Sequence, residues 1–512
     1  MEGKTRTIAI LEIGSTGVRL LVAEIYPQGE WKVLDRAEKP VALGRDAFTS
    51  GQVTRESLME CLLVLRSFKE LLTGWGINPQ DIHLIATSAL RVARNRDIFA
   101  DRVHQETGFR LSIIEGVEET RLMYLAVRFA LKNDLPLFWR ANSMILEVGG
   151  GSTEIMLLRR GQMVAAHSLK IGTLLISKAS RFDTASSRER YLDEILRNTS
   201  EMLNAEMDLS YFRTFVVVGS DVRIAADRAG TVLNENSRII PRDAFIDFCK
   251  SIQDYSVEDC MEKLGLNFAE AEGLVPGLQV SRYLLERTGA AQVVVPRISI
   301  REGVLIDQSR GEAEHSAIQE EFYSQISASA VNLGRKYHFD ENHGRHVAKL
   351  CLILFDALER EHGMKKRERM LLEAAALIHD VGMFVKTSGH QLHGHYIISN
   401  SEVFGLQPDE LNLIANVVRY HRGPPPSPTD IAYLSLQREE RVLVLKMASL
   451  LRIADALDRA RSRRIRDFTV ERKSETLVLR TSGNLDLSLE RIGLDEKADF
   501  FQEVFGYRII LS

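Results

Sequence analysis

One local pattern, written twice, limits what this 512-residue chain can fold into. An apolar run from Thr7 to Ile13 meets the turn Gly14-Ser15-Thr16-Gly17 and resumes as a second apolar run, Val18 to Glu24. The same grammar returns with Met144 to Val148, the turn Gly149-Gly150-Gly151-Ser152, and Thr153 to Leu158. Short apolar runs bounded by glycine predict paired strands joined by a tight turn. Copies this far apart point to a duplicated domain and not to a stacked-repeat array. A third strand-then-turn lies at Phe215 to Ser220, and mixed strand and helix signals reach about Gln308, which predicts an α/β region.

The periodicity then changes. Gln308 to Glu321 is polar and reads as a linker. From about Phe322 the apolar spacing is helical. His343, Val347, Leu350, Leu354 and Leu358 share one face; Leu372, Ala375 and His379 share another. Two more stripes follow, Leu411-Ile414-Val417-His421 and Val444-Ala448-Leu451-Asp455, separated by a proline-rich loop at Gly423 to Asp430. Strand-like alternation returns from Phe468 to Leu479, and again from Leu485 onward. The expected layout is an α/β half, an all-helical domain and a small α+β tail.

Composition narrows the function classes. A net charge of −4 provides no global basic field, so nucleic acid is not an expected partner and any anion site must be local. The four cysteines form no Cys-x-x-Cys pair, which argues against a zinc ribbon or a disulfide framework and suits a reducing cytoplasm. Residues Met1 to Arg6 are too short and polar for a signal peptide, and no apolar run is long enough to span a bilayer. A cytoplasmic protein without a membrane partner is expected.

The turns carry the chemistry. Glycines let a backbone approach a phosphate closely, and Ser15, Thr16, Ser152 and Thr153 add hydroxyl donors beside Gly149, Gly150 and Gly151. Two such turns facing each other could hold a phosphate chain from both sides; a plain glycine-rich β-turn is the simpler alternative for either one alone. Each turn is preceded by an acid inside an apolar strand, Glu12 and Glu147, and Glu154 follows the second turn. A carboxylate among Ile, Leu and Val is costly unless it is paired or binds a metal, and Mg²⁺ is the natural ion for carboxylates plus substrate oxygens. Between the copies, Arg91 and Arg94 lie in ATSALRVARN, and Glu118 and Glu119 open a helical run after Gly116. Arginines fork onto phosphate oxygens, and a positioned carboxylate can act as base for an attacking water. Singly, such residues more often form solvated helix faces or complement a helix dipole.

These segments, in this order, resemble the exopolyphosphatase/guanosine pentaphosphate phosphohydrolase family. The resemblance runs from the first turn through TSALRxARN, the GxEE segment at Gly116, the GGGSTE turn at Gly149 and SIREGVL at Ser299 to HDVGMF at His379, RYHR at Arg419 and FFQEVFGY at Phe500. It implies two actin-like (ribonuclease H-like) lobes, at 1–127 and 128–308, followed by a helical domain at 318–467 and a small α+β domain at 468–512. It implies Mg²⁺-dependent release of orthophosphate from polyphosphate or guanosine pentaphosphate, and a homodimer. By motif match Glu119 is the general base, Glu147 and Glu154 are metal and phosphate acids, Ser15 and Gly149 to Thr153 are phosphate turns, and Arg91 contacts substrate; from the residues themselves Glu12 is a further candidate metal ligand and Thr16 a further phosphate donor.

The chain also departs from that pattern. Glu12 and Glu147 stand where the family usually has Asp, a reach about 1 Å longer, and shifts of that size can alter rates about a hundredfold. Thr16-Gly17, Glu115, Gly219-Ser220-Asp221 and Leu175 are further departures. The helical region resembles an HD-type phosphohydrolase domain, with His343, His379, Asp380 and Asp455 filling its four metal positions, suited to a divalent transition metal or Mg²⁺. His393, His395 and His421 are additional candidate ligands. Two other readings therefore stand beside the cleft hydrolase: chemistry at the HD-type site, or an alarmone or polyphosphate sensor that binds without turnover.

Overall fold

The computed structural model describes residues 5–131, 140–179, 185–309, 312–481 and 486–512. They form two compact units, 1–320 and 321–512. The first unit is built on two sheets. In one, β1 (Arg6–Ile13), β2 (Gly17–Ile25), β3 (Trp31–Pro40), β4 (Ile82–Ala86) and β5 (Leu111–Ile113) lie in the order β3-β2-β1-β4-β5. The first three are antiparallel, and β4 and β5 add on in parallel.

The second sheet repeats this plan. It comprises β6 (Asn142–Val148), β7 (Thr153–Arg159), β8 (Gln162–Leu169), β9 (Phe212–Val218), β10 (Thr231–Asn234), β11 (Ser237–Pro241) and β12 (Gln292–Pro296), in the order β10-β11-β12-β9-β6-β7-β8. Read from β8, the series β8-β7-β6-β9-β12 has the antiparallel and parallel pairings of β3-β2-β1-β4-β5. The duplication expected from the two turns is thus a duplicated sheet, the topology of two actin-like lobes. Each central strand is buried on both faces: Ile8 to Leu11 and Met144 to Leu146 are fully enclosed. Parallel neighbours and helices on both sides demand such continuous apolar runs.

The turns occupy equivalent places, between β1 and β2 and between β6 and β7. They touch one another. A Cβ on Gly150 would lie 2.8 Å from Ser15 Cβ, and one on Gly151 would strike the Phe48 ring at 1.9 Å. One on Gly172 would meet the Gly150 carbonyl oxygen at 2.4 Å. These glycines are therefore required by packing between protein segments, whatever else they serve. Arg45, on the helix Leu43–Ser50, pairs with Glu272 of the helix Phe268–Arg287 at 2.8 Å, a further contact between the lobes.

Two expectations are corrected. The linker expected at 308–321 is largely helix, because the helix Glu312–Lys336 begins within it. Glu, Ala and Gln without Gly or Pro favour helix; polarity alone does not make a loop. The strand-like reading from Leu485 onward gives way to the helix Ser488–Phe505, followed by the short strand β15 (Arg508–Leu511). Glu490, Leu494, Lys497 and Phe501 bury one helical stripe there. β15 pairs with β14 (Thr476–Thr481), itself paired with β13 (Phe468–Lys473). The remaining second unit is helical, including Glu341–Ala357, Lys366–Ile378, His390–Ser399, Pro408–Arg419 and Arg438–Ala456. Among the described residues no helix is long and apolar enough to cross a membrane.

Substituting Gly172→Ala should lower stability by about 1–3 kcal/mol, the usual cost of overpacking, because backbone faces the new methyl. Gly74→Ala, with nothing within 4 Å of its Cβ position, should be neutral or slightly stabilising. Urea midpoints of the two variants check the contrast.

Candidate active site

The hairpin register decides what each acid meets. Directly opposite Glu12 across β1 and β2 is Arg19; directly opposite Glu147 across β6 and β7 is Glu154. In the first lobe Glu12 is therefore neutralised, by Arg19 at 3.5 Å and by Arg301 Nε at 3.2 Å. In the second lobe two carboxylates face each other, an arrangement that destabilises a sheet unless a cation sits between them.

A third acid joins that pair. Gly116–Ala130 is a helix of the first lobe, and its first turn presents Glu119. One oxygen from each of Glu119, Glu147 and Glu154 lies within 4.8 Å of the others. Glu119 and Glu154 are buried, and Glu147 Oε2 is a buried oxygen without a hydrogen-bond partner among the described residues. Arg91 donates to Glu119 Oε2 at 2.8 Å and to the Ile114 carbonyl at 3.0 Å. Ser168 donates to Glu154 Oε1 at 2.9 Å.

The charges confirm the strain. Burial, followed by the charges of Glu119, Glu154, Glu12 and Asp221, holds Glu147 protonated well above the ordinary carboxylate range. Burial and the Glu119 charge push Glu154 up to about 8, against the pull of Ser152, Arg91 and Ser168. Burial also raises Glu119, outweighing Arg91. Three acids that resist ionising together form a fitting cradle for a divalent cation, which removes both the repulsion and the orphaned oxygen.

The other expected residues are placed as follows. Ser15 and Ser88 hydroxyls are 3.2 Å apart, and Thr16 accepts from Arg19 at 3.1 Å. Thr153 donates its hydroxyl to the Ile171 carbonyl, so that hydroxyl is committed to the protein. Gly149 N–H closes its own turn onto the Ser152 carbonyl at 2.8 Å. Glu12 is not grouped with the other acids; its two arginines explain why.

Sequence reasoning passed over three groups here. Arg301 carries no role from SIREGVL alone, yet it pairs with Glu12. Arg223 lies close enough to Arg19 and Arg301 for their charges, after burial, to lower its pKa. Asp221 is buried at the start of the helix Ser220–Ala229, with Oδ2 unpartnered among the described residues; burial lifts it to about 7. The contacts of Arg301 and Arg223 depend on the fold and left no local signal, and in sequence Asp221 stands only as a departure at the third turn.

The helical unit contains a separate cluster. His343, His379, Asp380 and Asp455 come together as expected: His343 Nε2 is 3.5 Å from Asp455 Oδ1 and His379 Nε2 is 3.6 Å from Asp380 Oδ1. His421 joins them, and so does His390, which the sequence did not single out. His393 and His395 belong to none of the clusters among the described residues.

Residues 21–312 match the model of the Ppx/GppA phosphatase family, and residues 327–498 match Ppx/GppA phosphatase, domain III. The chain is 22% identical over 450 residues, 87% of its own length and 86% of the relative's, to the guanosine-5'-triphosphate,3'-diphosphate pyrophosphatase of Pseudoalteromonas translucida. It is similar in structure to an exopolyphosphatase from Cytophaga hutchinsonii, with a TM-score of 0.52 and 21% identity over 59% of this chain and 98% of that one.

The raised carboxylates fix a pH dependence. Glu154 has a folded value of about 8 against an ordinary 4.5, so the folded state holds more protons than the unfolded state between those limits. Without divalent cations, its contribution to stability should be complete below about pH 4.5 and fade as pH rises through about 8. Added Mg²⁺ should flatten that slope. Denaturation midpoints from pH 5 to 9, with chelator and with Mg²⁺, check both the sign and the reversal.

Proposed function

The chain belongs to the Ppx/GppA phosphatase family, and from that premise we propose that its first unit hydrolyses phosphoanhydride bonds, releasing terminal orthophosphate from inorganic polyphosphate or guanosine pentaphosphate. The observation that carries this reading is the convergence of Glu119, Glu147 and Glu154 from two lobes into one partly buried cradle. Glu147 and Glu154 would hold Mg²⁺, which when bound supplies charge neutralisation for phosphate oxygens. Glu119 has one oxygen tied to Arg91 and the other available to orient a water.

The reaction needs little beyond placement and charge. The water oxygen bonds to the terminal phosphorus as the bridging P–O bond breaks; Glu119 accepts a water proton, and the shortened chain leaves as an anion. Arg91 stands beside the base, and Arg223 lies near the Arg19 and Arg301 that pair with Glu12. The hydroxyls of Ser15 and Ser152 and the glycine backbone at Gly149 to Gly151 are the proposed phosphate contacts. Thr16, whose hydroxyl accepts from Arg19, and the backbone of Thr153 are further proposed contacts. Glu12 is assigned to ordering Arg19 and Arg301, a change from direct metal binding that its ion pairs support.

A second reading concerns the helical unit. His343, His379, Asp380 and Asp455 converge with two imidazole nitrogens unpartnered among the described residues, which supports an HD-type site for a divalent transition metal in addition to the cleft. The proposed division is 1–127, 128–308, 318–467 and 468–512. The proposed setting is the cytoplasm, where the buried cysteines stay as thiols, and the proposed assembly is a homodimer.

Glu119→Gln keeps the shape of the side chain and removes its basicity. It should lower Mg²⁺-dependent orthophosphate release from both substrates by roughly 10²–10⁴-fold, the usual share of a general base. Full activity in that variant would refute the assignment of the base.

A further inference from the structure

The loop between the helix Arg438–Ala456 and β13 is crowded with arginine: Arg459, Arg461, Arg463, Arg464 and Arg466. In a chain of net charge −4 such a run is a local field of its own. Three of these guanidiniums are engaged, that of Arg459 with Glu496 at 3.3 Å, that of Arg461 with Asp380, and that of Arg464 with the Asp486 carbonyl at 2.8 Å. Arg463 is held only through its backbone N–H, and Arg466 only through its carbonyl. Their guanidiniums have no partner among the described residues.

These two free arginines line one cavity of about 460 Å³ together with His346, Lys349 and Ser462. His346 and Lys349 are three residues apart on the helix Glu341–Ala357, hence on one face of it. Among the described residues no carboxylate lines the cavity. Asp458, which borders the loop, is already spent: Oδ2 meets His343 Nδ1 at 2.8 Å and Oδ1 accepts the Arg463 N–H at 2.7 Å. Its carbonyl accepts the Arg461 N–H at 2.8 Å. These bonds hold Arg461 and Arg463 at φ of 50° and 53°, left-handed values uncommon outside glycine. The loop that carries the free arginines is thereby fixed before any ligand arrives.

The lining offers donors and positive charge. Lys349 gives one hydrogen to the Arg466 carbonyl at 2.6 Å and keeps its others. Ser462 adds a hydroxyl. His346 Nε2 is buried without a hydrogen-bond partner among the described residues. Burial, joined by the charges of His343, Lys349 and Arg463, lowers the His346 pKa against the pull of Asp458, so the imidazole is neutral near pH 7. An acceptor with negative charge satisfies all of these groups at once. No aliphatic side chain lines the cavity, and no ring other than the imidazole, so a nucleobase has little to stack on. A single phosphate carries about −1.5 to −2 near neutral pH, less than Lys349, Arg463 and Arg466 together present. Two joined phosphates match that charge, and the volume falls in the ~300–1,000 Å³ range of whole small-molecule sites.

We propose that this cavity is a metal-free binding site for a short oligophosphate, two or three phosphate groups long, held by the forks of Arg463 and Arg466, the Lys349 ammonium and the donors of Ser462 and His346. It is separate from the three-glutamate cradle and from the histidine and aspartate cluster, and depends on neither. The length follows from the charges. Arg459, Arg461 and Arg464 are already paired, so the unpaired positive charge of this loop ends at the cavity and a longer chain gains nothing beyond its first few phosphates.

Binding without metal distinguishes this site, because the carboxylates of the other two clusters repel an anion until a cation is bound. The full chain is freed of divalent ions with a chelator, then of the chelator, and titrated by calorimetry with inorganic pyrophosphate and with tripolyphosphate. One site per chain is expected, with affinity that falls as NaCl rises. Arg463→Gln combined with Arg466→Gln should weaken it at least tenfold, and Arg464→Gln should leave it unchanged. Orthophosphate should bind at least tenfold more weakly than pyrophosphate. No binding to the unsubstituted chain, or binding that the double substitution leaves intact, would overturn the site. Equal affinity for orthophosphate would overturn the two-phosphate ligand, and a chain of many phosphates that binds tenfold more tightly than tripolyphosphate would overturn the short one. Arg463 and Arg466 are exposed, so their substitution leaves the core untouched, and the unsubstituted chain alone already decides whether a metal-free site exists. Phosphate release is not read, so the outcome is independent of the assignments in the cleft.

Discussion

Glu147 and Glu154 stand opposite each other on adjacent antiparallel strands, with Glu119 closing on them from another lobe. Nothing in hydrophobic burial favours this, since the like charges repel and one buried oxygen has no partner among the described residues. The surrounding structure is what makes it possible. Fully buried strands fix the register, the glycine turns let the lobes touch, and Arg91 holds Glu119 from behind. An anhydride-cleaving centre needs this kind of stored electrostatic demand, because a cation and a chain of phosphates then bind where the protein alone is unsatisfied.

The duplication explains how one plan produced two different half-sites. Both lobes carry the same strand order and the same turn, with a glutamate at the same place before it. Only the cross-strand partner differs. Arg19 turns the first copy into an ion-pair network with Glu12, Glu38 and Arg301, while Glu154 leaves the second copy short of positive charge. The two hairpins differ as a result: Glu12 is paired with arginines, while Glu147 and Glu154 meet a third acid, Glu119.

Much of this was legible in the sequence. The repeated strand-turn-strand pattern and the intervening motifs gave the two lobes, and the helical stripes brought His343, His379 and Asp455 inward. What escaped was set by pairing across space. The pairing of Glu12 with Arg19 depends on hairpin register, and its pairing with Arg301 on a helix some three hundred residues away, so the two acids looked alike in sequence. His390 sits among His393 and His395 on one short helix, and only the fold selects which of them turns towards His421. The polar stretch before Phe322 and the segment after Leu487 were misread because side-chain polarity and short alternation are weaker guides than helix-forming composition.

The cradle itself can be seen directly. Crystals of the protein grown with Mn²⁺ in place of Mg²⁺ would reveal the ion by its anomalous scattering. An anomalous peak bonded to Glu147 and Glu154, at about the 2.0–2.2 Å expected for a hard divalent ion on oxygen, with Glu119 in reach of its bound water, is the expected result. A peak on Glu12, or ordered Mn²⁺ elsewhere with the three glutamates left bare, would contradict the central assignment.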